Sequence, residues 1–235
     1  MGMKPHSRHL IHVGVNFLVT PAPAVSLPTS LAFQQALFAE GLEFQKVENN
    51  GAQLVIVRER PSPLHVSLVT NPNPAVGQIL ILGPNLTTGL DFFIQDAEAA
   101  LRAFETVWTM QNRQLIQGDA TIRDLYETTS QHAFQELWES RLGQSSQALA
   151  AFGRPIRGGG LRFVMDPLPG ESEPVQIEVK IESFLNDASK LFVETQFTWR
   201  NATGQPMPFN VHDRLKLMDD YIRNRIRAFI NGESV

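Results

Sequence analysis

EFQKVENNGAQLVIVRER, residues Glu43–Arg60, decides how this chain is read. Two β-prone runs, Glu43–Asn49 and Gln53–Arg60, flank Asn50-Gly51, a dipeptide that readily adopts the positive φ of a tight hairpin turn. Working downstream, Leu64–Thr70 and Val76–Leu82 continue the strands, separated by the turn cluster Asn71-Pro72-Asn73-Pro74. A helix over Asp91–Gln111 follows, capped by Asp91 or a nearby Thr, with Phe93, Ala97, Leu101, Phe104 and Trp108 on its apolar face. Upstream, Thr29–Glu40 carries Leu31, Phe33, Ala36, Leu37 and Phe38 at helical spacing before a left-handed cap at Gly41. Before it, Leu10–Thr20 is rich in Val, Ile and Phe and reads as a buried strand, which the proline connector Pro21–Pro28 ends.

The same order then runs again. Gln114–Tyr126 takes the first-strand position, Ser130–Leu142 is helical through Phe134, Leu137 and Trp138, and Gln144–Phe152 adds a short helix. After the bend Gly158-Gly159-Gly160 come the strand Leu161–Met165 and two cleanly alternating strands. Ile177, Val179 and Ile181 oppose Glu178, Lys180 and Glu182; Leu191, Val193, Phe197 and Trp199 oppose Glu194, Gln196 and Thr198. The last helix, Val211–Asn231, presents Val211, Leu215, Met218, Ile222, Ile226 and Phe229 at spacings of three and four. The expectation is an α+β fold: a mainly antiparallel sheet from two β-α-β(3-4)-α pseudo-repeats, 1–112 and 113–235, with long helices packed on one face. The strands of the first half are apolar on both faces and those of the second on one. The sheet is therefore expected to be wet at one end and covered at the other, by a partner subunit.

Composition narrows the function. The 235 residues are 43% hydrophobic and 19% charged, a globular balance whose length allows roughly 70% of the unfolded surface to be buried. A formal charge of −4 argues against a general nucleic-acid binder, which needs a basic footprint. The absence of cysteine removes disulfides, thiolate metal sites and cysteine nucleophiles, and fits a reducing, cytoplasmic setting. Lys4 and Arg8 precede an apolar run, but His9, His12 and Asn16 interrupt it, so it is not read as a signal peptide. No stretch is long enough for a transmembrane helix, and no cofactor or membrane partner is expected.

In element order the chain is similar to the duplicated saddle of the TATA-binding-protein type and to the helix-grip fold, in which a curved sheet wraps a long C-terminal helix around a cavity. KLFVETQFTWR (Lys190–Arg200), a polar loop, then FNVHDRLKLMDDYIRNRIRAFI (Phe209–Ile230) resembles the last quarter of a set of sporadically distributed bacterial proteins of unknown function. That resemblance implies no activity.

Candidate sites are few. His6, His9 and His12 would share a helix face and could hold a metal, but they run into a strand, where that spacing does not converge, so no metal site is expected. Arg154, Arg157 and Arg162 surround Gly158, Gly159 and Gly160, a candidate anion site because glycine lets backbone N–H groups approach closely and guanidinium forks suit phosphate or carboxylate. A solvated connector explains the same residues. Phe93, Phe104, Trp108, Phe163, Phe197, Trp199 and Ile222 either form core or line an apolar cavity. Asp219-Asp220 beside Arg223, Arg225 and Arg227 reads as a solvated helix face with i, i+4 pairs. Ser145-Ser146 lacks a nucleophile elbow, and His65, His132 and His212 stand singly. The readings that result are a non-enzymatic, homo-oligomeric binding or protein-interaction module, a small apolar ligand-binding protein, and, third, an anion or nucleotide site at Arg154–Arg162.

Overall fold

The structure, a computed structural model, describes residues 7–71, 76–86, 88–129, 131–201 and 207–233. Its strands are β1 (His9–Thr20), β2 (Lys46–Asn49), β3 (Gln53–Arg58), β4 (Leu64–Asn71), β5 (Val76–Pro84), β6 (Gln114–Glu127), β7 (Gly160–Met165), β8 (Val175–Ser183) and β9 (Lys190–Arg200). All pair antiparallel in one sheet of order β2-β3-β4-β5-β1-β6-β9-β8-β7. The fold is α+β. Outward from the central β1–β6 pair, the order is β5, β4, β3, β2 on one side and β9, β8, β7 on the other.

The helices are α1 (Leu27–Ala39), α2 (Leu90–Val107), a short α3 (Ala133–Glu136) and α4 and α5 (Val211–Tyr221, Arg227–Asn231). A π turn, Ile222–Ile226, joins the last two into one C-terminal helix. The expected helix Ser130–Leu142 contracts to α3 plus a π turn, Leu137–Arg141, and Gln144–Phe152 becomes a 3-10 helix, Ser146–Phe152; Ser130 lies outside the described residues.

Local chemistry moves several boundaries. At the β2–β3 turn only Gly51 takes positive φ, +84°, while the Asn50 carboxamide oxygen accepts from the N–H groups of Ala52 and Gln53 at 3.1 and 2.8 Å. Asn50 thus braces the turn rather than forming its left-handed corner. The other expected turn, Pro72-Asn73-Pro74, lies outside the described residues. Helix α1 starts two residues earlier than Thr29, because Ser26 and Thr29 form a reciprocal capping box and Pro28 is tolerated in a first turn. At α2 the cap is Gly89, not Asp91; Asp91 sits in the first turn, favoured by the helix dipole, and accepts from Lys216 Nζ at 2.6 Å.

Register sorts the sheet into two faces. Inward from the helix side come Leu54 and Ile56, Val66 and Leu68, Ile79 and Ile81, Val13, Val15 and Phe17, Ala120 and Ile122, Val193 and Phe197, and Val179 and Ile181, all buried. Glycine is required where a helix comes closest: a Cβ on Gly83 would meet Phe93 at 2.7 Å, and one on Gly118 would meet Arg214 at 2.7 Å. The C-terminal helix crosses from β6 to the edge strand β7. Arg214 lies over the Trp199 ring at 4.8 Å, Tyr221 stands edge-on to Phe197, and Phe229 edge-on to Phe163. Arg141 closes its far end, donating to the carbonyls of Ile230 and Asn231 at 3.0 and 2.8 Å, as orphan C-terminal carbonyls require.

The outward face is divided. Val55, Val57, Val69, Leu80 and Leu82 form a half-buried apolar patch on β3–β5. From β1 to β7 the outward face is mostly polar, with Val164 an exposed exception on β7. Asp119 accepts from Asn16, Gln117 and Thr198 at 2.8–3.0 Å, and Arg123, Glu194, Lys180, Glu178 and Arg162 form a ladder of ion pairs across four strands. Such a ladder suits a solvated face.

Candidate functional site

Beside the edge strand β7 the sheet and the C-terminal helix do not close on each other. They leave an open groove of about 490 Å³, lined by Phe163, Met165, Val179, Ile181, Tyr221, Ile226 and Phe229, with Val164, Arg162 and Arg225 at its margin. Its geometry follows from two local features. β7 is short and unpaired on its outer edge among the described residues, so its inward side chains meet one neighbour strand only. The π turn Ile222–Ile226 inserts a residue into the helix at this level, shifting the spacing that would otherwise pack flat on the sheet; such bulges are frequent at functional sites. Ile222 stays in the core, Ile226 is buried but borders the groove, and Tyr221, Arg225 and Phe229 reach it. The Tyr221 hydroxyl donates to Met165 Sδ at 3.3 Å, and burial raises its pKa. The lining offers apolar contact, one phenol and two guanidiniums, and no carboxylate or imidazole.

Of the expected cavity residues, Phe163 lines this groove. Phe93, Phe104, Trp108, Phe197, Trp199 and Ile222 are core, each 3% exposed or less, where the C-terminal helix and α2 close down on the sheet. Phe104 stacks on Trp108, and both Phe104 and Phe17 meet Phe209 edge-on.

The arginine–glycine bend does not converge. Gly159 donates its N–H to Ser183 Oγ at 2.9 Å and its carbonyl accepts from Ser183 N at 3.0 Å, so its backbone extends the β7–β8 pairing. A Cβ there would strike the Phe134 ring at 2.8 Å, and one on Gly158 would strike Ser183 Oγ at 2.4 Å. These glycines serve close packing, and none takes positive φ. Arg162 donates to Glu178 at 2.8 Å on the outward face. Arg154 instead borders a separate groove of about 480 Å³ with Phe134, Gln135, Leu149 and Ile156, and Arg157 is exposed. Among the described residues no cluster of three His, Asp or Glu is arranged to hold a metal; His6 lies outside them. His12 points to the polar face of β1, where burial and then Arg123 lower its pKa to about 4.

A buried charge cluster escaped the sequence reading. Asp124, fully buried on the inward side of β6, accepts from Arg8 Nε at 2.8 Å; the same guanidinium pairs with Asp219, which also accepts from Arg223 at 2.7 Å. Asp219 is therefore not part of a solvated face, although its i, i+4 partner is the expected one. The alternation Gly118, Ala120, Ile122, Asp124, Tyr126 held the signal, because a period of two puts Asp124 among core residues. One Asp124 oxygen has no hydrogen-bond partner, and burial pushes the carboxyl up to about 6, against the pull of Arg8. A raised folded-state pKa means that the native protein holds the proton more tightly than the unfolded chain between about pH 4 and 6. Stability contributed by this group is present below that window and is lost as pH rises through it. The stability of wild type minus that of Asp124→Asn is expected to fall by about 2 kcal/mol between pH 4 and pH 7 in urea titrations. A flat or rising difference would show that the pair with Arg8 outweighs burial.

No family model and no curated protein matches the chain. Among solved structures, DynU16, from the dynemicin biosynthetic locus, is similar at 10% identity over 97% of this chain and 99% of that one, with a TM-score of 0.24. At that score the likeness carries no argument.

Proposed function

We propose that this is a non-catalytic binding protein whose site is the groove between β7–β8 and the C-terminal helix, taking a small apolar ligand. The observation that carries it is the groove itself: its volume lies in the range of small-molecule sites, its walls are apolar, and a few polar groups stand at the margin. Of the two main readings of the sequence, this one gains the more specific support.

The protein-interaction reading has its own observation. Leu27, Leu31 and Phe38, at 69%, 51% and 70% exposure, line one side of α1, although Leu31 and Phe38 were expected in its buried stripe. Ser30, Phe33 and Leu37 take that role, which leaves the others facing out, as in a surface that self-associates or meets a protein partner.

Native mass spectrometry of the protein as purified separates the two. A small molecule that leaves on denaturation is the result expected. Added at about 100 times its dissociation constant, that molecule should raise the melting temperature by roughly 5–10 °C. Phe229→Lys, which puts a charge in the groove, should abolish the shift. A clean oligomer carrying nothing, with no apolar compound stabilising it, would move the function to α1 and a protein partner.

A further inference from the structure

The charge at the margin of the groove narrows the class of ligand. Two cations border it, and they differ. Arg162 is neutralised by Glu178, to which Lys180 also contributes at 3.4 Å. Among the described residues Arg225 makes no hydrogen bond or ion pair. Arg223 finds Asp219 four residues back, whereas the positions four before and four after Arg225 are Tyr221 and Phe229, both groove residues, and Asp220, one π turn before it, does not pair with it among the described residues. The residues three away, Ile222 and Ala228, are apolar as well. A carboxylate three or four residues away on the same helical face would pair with such an arginine. This one shares its face with an apolar groove.

We infer that the ligand is an amphiphilic monocarboxylate, an aliphatic or aromatic body seated against Phe163, Ile181 and Phe229 with its carboxylate on the Arg225 guanidinium. The inference rests on the reading of the groove as a ligand site. Guanidinium matches carboxylate as a two-point fork, and apolar walls strengthen the pair relative to water. The Tyr221 hydroxyl stands in the same lining, and its present acceptor, a thioether sulfur, is weak, so it is free to turn to a carboxylate oxygen.

The test uses matched pairs that differ in charge and not in shape: octanoate with octanamide, and 2-naphthoate with 2-naphthamide, by calorimetry on the full chain at pH 7 and low salt. For at least one pair the acid should bind about tenfold more tightly than its amide, the effect of one hydrogen bond to a charged group. Arg225→Gln should bring acid and amide to equal affinity without altering the amide, and Arg162→Gln should leave the preference intact. Arg225 is exposed, so this variant should melt as wild type does. Equal binding of acid and amide to wild type, or a preference that survives Arg225→Gln, would overturn the anionic ligand and leave the groove as a neutral site. Binding of none of the four compounds would overturn both the site and its charge.

Discussion

A chain ended at Asn201 should give no soluble, cooperatively melting protein. The deleted segment carries Val211, Leu215, Met218, Ile222, Ile226 and Ile230, all buried against the inward face of the second half of the sheet. At about 1.5–3 kcal/mol for each large side chain, their loss is on the order of 10 kcal/mol. A whole domain is stable by only about 5–15 kcal/mol. The loss also removes Arg214 from Trp199 and Phe209 from its contacts with Phe17 and Phe104, uncovering both halves of the core. Expression, size-exclusion chromatography and a thermal melt decide the matter. A soluble truncated protein with a sharp transition would mean that the sheet and α2 form a folding unit without the C-terminal helix.

The second large effect is expected at Arg58→Met. Arg58, at the end of β3, reaches α2 through a two-point pair with Asp96, and its Nε donates to the Ser62 carbonyl at 2.9 Å. Both residues are buried, at 4% and 8% exposure, and the guanidinium also lies 5.5 Å from the Phe92 ring. Removing the cation leaves a buried carboxylate without its partner, which costs about 3–5 kcal/mol; removing both charges is far cheaper, since the pair itself is offset by desolvation. Arg58→Met should therefore lower the urea midpoint sharply, and Arg58→Met with Asp96→Leu should recover most of it. A single variant within 1 kcal/mol of wild type, or a double variant no better than the single, would show that the pair is not dry.

Much of the fold was legible because it is written in local periodicity. The alternation of β8 and β9, the turn glycine at Gly51, and the stripes of α2 and the C-terminal helix each sit within a window of ten to twenty residues. The candidate site was barely legible. Its lining comes from β7, β8 and a helix about forty to sixty residues later, and of the aromatic residues marked as core or cavity, packing alone assigned Phe163 to the groove and Trp199 to the core. The bend at Gly158–Gly160 misled for a related reason: glycine gives the same letter whether it frees an N–H for an anion or makes room for Phe134.

By itself, then, the sequence determined the class of structure: an α+β chain whose mainly antiparallel sheet and amphipathic helices follow from periods of two and 3.6 residues. Only the tertiary structure decided that one sheet runs through both halves across the β1–β6 pair, that Arg8 and Asp219 meet Asp124 beneath it, and that the C-terminal helix leaves a groove at β7. Those outcomes depend on which surfaces meet over long separations in the chain. That is set by the fit of side chains in a close-packed interior, where the π turn Ile222–Ile226 changes which side chains of the helix meet the sheet.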